Sequence, residues 1–168
     1  MSVAVESPEL AADPSVVPAE APVAEAPGEE QKSPLNADVL EKSFALLAPQ
    51  AEELVSRFYF RLFRAAPQTY RMFPQNRFAE QKKMLLAALK MTVNNVRKPE
   101  ALIPVLQDLG VKHKAYGAGT AEYALVGSIL LATMAEFAGD AWTPEIEAAW
   151  TDAYGVIQSV MLEAAQAA

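Results

Sequence analysis

The chain has 168 residues, 52% of them apolar, which suits one domain with a sizeable core. The absence of cysteine excludes disulfides, thiolate metal sites and thioether-linked tetrapyrroles. The formal net charge of −7 is unevenly placed: residues 1–32 hold seven acids against Lys32, whereas the remainder holds 14 acidic and 13 basic residues. No basic stripe stands out, so nucleic acid is not an expected partner.

The chain opens on MSVAVESPEL, which has neither a basic region nor an apolar core, so no secretory signal is expected and a cytoplasmic location is. From Met1 to Pro34 the composition is Ala, Pro, Glu and Val, with prolines at 8, 14, 18, 22, 27 and 34. Proline blocks helix interiors and the acids repel one another. Residues 1–34 are therefore expected to be a disordered acidic tail, a solubilising or tethering arm, with the folded domain at 35–168.

From Asn36 the apolar period becomes helical. Leu40, Phe44 and Leu47 mark one helix, which Pro49 ends or turns into the next. Leu54, Phe58 and Leu62 mark the second, with Val55, Tyr59 and Phe63 widening its stripe. AAPQTYRMFPQN reads as a short helical turn and a corner. Further helices follow from about Phe78 to Val93 and from Glu100 to about Lys114, the latter with Leu102, Leu106, Leu109 and His113 on one face. Beyond Gly117 and Gly119 a helix spans roughly Ala121 to Ala138. Its apolar run YALVGSILLATMA is interrupted by Gly127, Ser128 and Thr133, short of the ~18 uninterrupted apolar residues of a membrane span, so it reads as a core helix. The last helix opens on Thr143-Pro144-Glu145, a cap, a first-turn proline and an acid suited to the helix dipole, then fades into EAAQAA. No stretch alternates as a strand does. The expected class is all-α.

His113 is the only histidine, and its position on an apolar stripe points the ring inward. One histidine cannot build a structural zinc site, and no Glu-x-x-His pair supports a di-iron bundle. No GxSxG elbow supports a serine triad. Haem needs only one protein ligand, a neutral imidazole, because the porphyrin supplies four nitrogens. A satisfied core histidine is the alternative.

LIPVLQDLGVKHKAYG (Leu102 to Gly117), with Tyr123 ten residues beyond the histidine, resembles the proximal helix and corner of bacterial single-domain haemoglobins of the flavohaemoglobin lineage. FYFRLFRAAPQTYRMF (Phe58 to Phe73) and AAWTDAYGVI (Ala148 to Ile157) resemble that family's second and last helices. The resemblance covers about residues 36–165 and implies a globin fold of six to eight helices around a haem pocket. It makes His113 the iron ligand of haem b, Phe73 the ring against the porphyrin, and Tyr59 and Gln81 the polar pair facing bound gas. It also makes Leu85 the apolar residue over the iron, Tyr123 the proximal tyrosine and Lys112 a candidate for a haem propionate. Outside the resemblance, Tyr59 reads as a core tyrosine, Phe73 as ordinary packing, and Gln81 and Lys112 as solvated side chains.

The family's late acidic partner of the proximal tyrosine aligns with Ala165, and Glu163 falls on a different helical face. That departure favours gas binding over peroxidase-like activation. No GxGxxG follows a strand, so turnover would require electrons from an external reductase. The resemblance implies reversible binding of O₂, NO and other diatomic gases at a five-coordinate iron, for oxygen transport or NO detoxification. The alternatives are an NO dioxygenase that uses an external reductase and a haem-free interaction module. Neither nucleic acid nor membrane is an expected partner.

Overall fold

The computed structural model describes residues 35–168. The acidic tail expected over residues 1–34 lies outside the described residues. Six α-helices run in order: α1 Ala37–Leu47, α2 Ala51–Ala65, α3 Phe78–Asn94, α4 Pro99–Ala115, α5 Thr120–Ala138 and α6 Pro144–Ala167. Single 3₁₀ turns join several of them, and Pro67–Met72 and Gln75–Arg77 form the corner between α2 and α3. Among the described residues there is no strand.

Local chemistry explains the helix ends. Asn36 caps α1 by accepting from the Val39 N–H at 3.3 Å, and Thr143 caps α6 by accepting from Ile146 at 3.2 Å. Pro99 and Pro144 begin α4 and α6, where a missing N–H costs nothing. At the start of α5 the Glu122 carboxylate accepts from the Gly119 N–H at 2.8 Å. The last helix does not fade at EAAQAA but continues to Ala167, with Ala165 buried. A run of alanines costs little side-chain entropy in a helix.

Packing produces two apolar clusters. The larger gathers α1, α2, α5 and the first half of α6, with Leu47, Leu54, Val55, Phe58, Leu62 and Met134 among its most buried members. α3 lies on its edge, contributing buried Val93 and half-buried Leu85, Leu86 and Leu89. One buried polar link ties α1 to α6: the Trp150 indole donates to the Ser43 hydroxyl at 2.8 Å, which donates to the Val39 carbonyl at 2.6 Å.

The smaller cluster joins Leu102 and Leu106 of α4 to Tyr123 of α5 and Met161 of α6. α4 and α6 touch backbone to backbone at Gly110, where a Cβ would stand 2.2 Å from the Met161 carbonyl oxygen. Only glycine permits that approach. α5, with the turn after it, is apolar and long enough to cross a membrane by length and composition. Here it buries Tyr123, Gly127, Leu130, Thr133 and Met134 against its neighbours.

Candidate functional site

The proposed site residues fall into two groups, one beside each cluster. Tyr59 is the centre of the first. It is buried on α2, and its ring meets Phe58, Phe63, Phe73 and Phe78 at centroid distances of 5.0, 5.8, 5.5 and 5.2 Å. Three of the four contacts are edge-to-face, the arrangement that ring quadrupoles favour. Phe73, at the corner between α2 and α3, is half-buried and fixed by Tyr59 and Phe63.

Gln81 is half-buried rather than solvated. Its amide donates to the Tyr59 oxygen at 3.5 Å, the long limit for such a contact. Burial raises the Tyr59 pKa above the usual phenol value, outweighing the opposing effect of the Gln81 amide. The phenol therefore keeps its proton. Because Gln81 donates to the oxygen, that proton remains free to be given elsewhere. Leu85, one turn on, is half-buried against the larger cluster. Met84, a conceivable soft ligand from its neighbouring position, is 60% exposed and turned away from the core.

The second group is built on the end of α4. The His113 ring is half-buried, and its Nδ1 lies 2.8 Å from the Leu109 carbonyl oxygen. A carbonyl only accepts, so Nδ1 carries the hydrogen and Nε2 holds the free lone pair. The Tyr123 ring lies 6.1 Å away and the exposed Tyr116 ring 6.2 Å away.

The corner behind the histidine is equally specific. Ala118 N–H bonds the His113 carbonyl and Gly117 N–H bonds the Lys114 carbonyl, both at 3.0 Å. Gly117 takes φ +87°, so the helix closes in a Schellman motif that only an unbranched backbone enters cheaply. Met72, from the corner of the first group, reaches within 3.5 Å of where a Gly117 Cβ would be. The two groups therefore meet along one edge.

Tyr123 is buried, and its hydroxyl is a buried polar atom without a hydrogen-bond partner. Ala165 is buried and Glu163 is exposed, so the acid stays in solvent. Desolvation raises the Tyr123 pKa, as expected for a phenol with neither a charged nor a bonded neighbour. Tyr154 supports this residue from α6 by donating to the Tyr123 carbonyl at 2.6 Å. Its ring crosses α5 at Gly127, where a Cβ would fall 2.4 Å from it. Lys112 is exposed and engaged by Asp108 at 2.6 Å, and that contact raises its pKa.

Sequence reading did not single out Phe63, Phe78 or Met72 for the site. Their spacing matches ordinary core positions: Phe63 lies one turn from Tyr59 on α2, whereas only the corner's path brings Phe78 beside Tyr59 and Met72 beside the end of α4.

The globin family's sequence profile matches residues 56–161. The chain is 35% identical over 127 residues to the flavohemoprotein of Rhizobium meliloti, a match covering 74% of this chain and 31% of that protein. It is 31% identical over 127 residues to the flavohemoprotein of Bacillus subtilis, with 74% and 32% covered. The chain thus spans about a third of the length of these relatives. A bacterial globin structure from Campylobacter jejuni superposes with a TM-score of 0.69 at 22% identity, covering 78% of this chain and 94% of that one.

The chain belongs to the globin family, and its fold is the globin fold. It is homologous to the globin domain of flavohaemoglobins, and that membership implies haem-based gas binding.

Proposed function

We propose that the chain is a haem-b globin that reversibly binds O₂ and NO, with His113 as the single protein ligand to iron. The observation that carries this reading is the preset imidazole. Leu109 fixes its tautomer, leaving Nε2 as the one histidine nitrogen able to coordinate.

The other residues fit the same group. The aromatic set around Tyr59 and Phe73 and the half-buried apolar side of α3 would together line the gas-binding side of a porphyrin, across from His113. Bound haem supplies an iron with one open position for a diatomic gas.

The chain's own residues would then tune binding. Tyr59 would donate its hydroxyl proton to the ligand, held in place by Gln81 and three edge-on phenylalanines. Donation to a partially charged acceptor contributes about 1.5–3 kcal/mol. Leu85 would keep water away. Tyr123 lacks an acidic partner, because Ala165 stands at the aligned position and Glu163 is exposed. No carboxylate therefore bonds the Tyr123 hydroxyl beside His113, which favours gas binding over peroxidase-like activation.

The test is the visible spectrum of haem-saturated, reduced protein, without air and then with it. A five-coordinate ferrous band that converts to a stable oxygenated spectrum is expected. His113→Ala is expected to lose haem retention or normal proximal ligation; an unchanged ferrous spectrum in that variant would overturn the assignment.

A further inference from the structure

Oxidation has few places to go in this chain, which has no cysteine, five tyrosines and two tryptophans. Trp150 is buried in the larger cluster, and Trp142 packs against it. The tyrosines differ in one respect that decides their redox behaviour. A phenol that gives up an electron becomes a strong acid, so it is oxidised readily only where its proton can leave. Tyr59 and Tyr123 are buried, and among the described residues nothing accepts from the Tyr123 hydroxyl. Tyr154 donates to the Tyr123 carbonyl, which is a weak base. Water reaches the other two: Tyr70 is 47% exposed and Tyr116 is 59% exposed.

These two differ in what lies behind them. Tyr70 meets Phe63 edge-on at 4.9 Å, and Phe63 meets Phe73 at 5.6 Å. A ring without a hydroxyl is much harder to oxidise than a phenol, so the phenylalanines offer no stepping stone. Tyr116 instead stands edge-on to the imidazole assigned to iron, with ring centroids 6.2 Å apart, within the range of aromatic contact. The backbone fixes it there, because the Tyr116 N–H bonds the His113 and Lys112 carbonyls at 3.1 and 3.2 Å. One ring contact therefore separates the His113 imidazole from a phenol in water.

On the haem reading, we propose that Tyr116, beside His113, is the site at which oxidising equivalents delivered by hydrogen peroxide leave the protein. An electron passes from the phenol across the imidazole contact to the oxidised haem, and the phenolic proton passes to water. Two copies oxidised in this way join carbon to carbon, ortho to each hydroxyl, as dityrosine. Two phenols thereby lose one hydrogen each, the O–O bond of one peroxide breaks, and two water molecules form. The missing acidic partner of Tyr123 affects how fast oxidising equivalents arise, whereas ring placement decides where they go. Their release at the surface leaves Tyr59, Tyr123 and the porphyrin unmodified.

The test treats the full chain, loaded with ferric haem, with equimolar hydrogen peroxide, with and without a nitroso spin trap. Native protein and Tyr70→Phe should give dityrosine fluorescence and a dimer that survives SDS. Tandem mass spectrometry should place the trap adduct on Tyr116. Tyr116→Phe should lose adduct, fluorescence and dimer together, and its Soret band should bleach faster than that of the native protein. Because the side chain is exposed, this variant should keep the native circular dichroism and ferric spectrum.

Coupling that persists in Tyr116→Phe, an adduct confined to Tyr59 or Tyr70, or bleaching of Tyr116→Phe at the native rate would overturn the exit while leaving the haem reading intact. So would oxidation that stops at a sulfoxide on the exposed Met84, or coupling that peroxide alone produces in the haem-free chain. Failure to take up haem at all would overturn the haem reading, and the exit with it.

Discussion

The two halves of the candidate site are held in different ways. Around Tyr59, position comes from side-chain volume: four phenylalanine rings, several helices and a corner share the constraint. Around His113 it comes from backbone: a helix pressed onto α6 at Gly110, closed by Gly117, and backed by four buried side chains. Volume can relax by repacking, at an energetic cost. Backbone contact cannot relax without moving the helix. The first half should therefore lose stability before it loses geometry, and the second should do the reverse.

The largest expected effect sharpens that contrast from the first half. Leu62 is 1% exposed in the larger cluster, so Leu62→Ala should cost about 2–5 kcal/mol in urea unfolding. Its haem-loaded form should keep a normal ferrous spectrum. Gly110→Ala should cost less, about 1–3 kcal/mol for overpacking, yet it should disturb proximal ligation by lifting α4 and His113 off α6. If Gly110→Ala left the ferrous spectrum native while Leu62→Ala altered it, the contrast would be wrong.

Ser43→Ala should cost about 1–3 kcal/mol, because the buried Trp150 indole loses its acceptor. This contact is remote in sequence from both groups, so gas release should not change. Gly117→Ala should cost about 1 kcal/mol, since a residue at φ +87° acquires a Cβ. The smaller loss should nonetheless appear in haem retention, because the same motif holds the His113 carbonyl.

The smallest effect is a pH dependence. Burial raises the pKa values of Tyr59, Tyr123 and Tyr154 above the usual phenol value. The folded protein therefore binds these protons more tightly than the unfolded chain does. Their contribution to stability is complete below about pH 10 and is lost as pH rises through the folded values. Urea midpoints should stay flat toward that pH and then fall. Tyr154→Phe should fall less steeply, and a midpoint that rose with pH would reverse the sign.

Much of the fold was legible because its signals are local. Thr143-Pro144-Glu145 names a helix start, and Pro67 and Pro74 bracket the corner. The stripe from Leu102 to His113 already set the histidine on the apolar side of α4. The site was less legible. Gln81 lies among charged neighbours, and nothing local says that it turns toward Tyr59, 22 residues away. Lys112 offered a free ammonium in sequence, whereas Asp108 one turn earlier engages it.

The sequence by itself determined the helices, the lone imidazole and the glycines, because periodicity, caps and residue chemistry act over one or two turns. Only the tertiary structure decided that Gly110 lies against Met161 and that Tyr123 is buried without a partner. Those outcomes depend on which helices touch. Contact between distant segments is set by the packing of the whole core, and no short stretch encodes it.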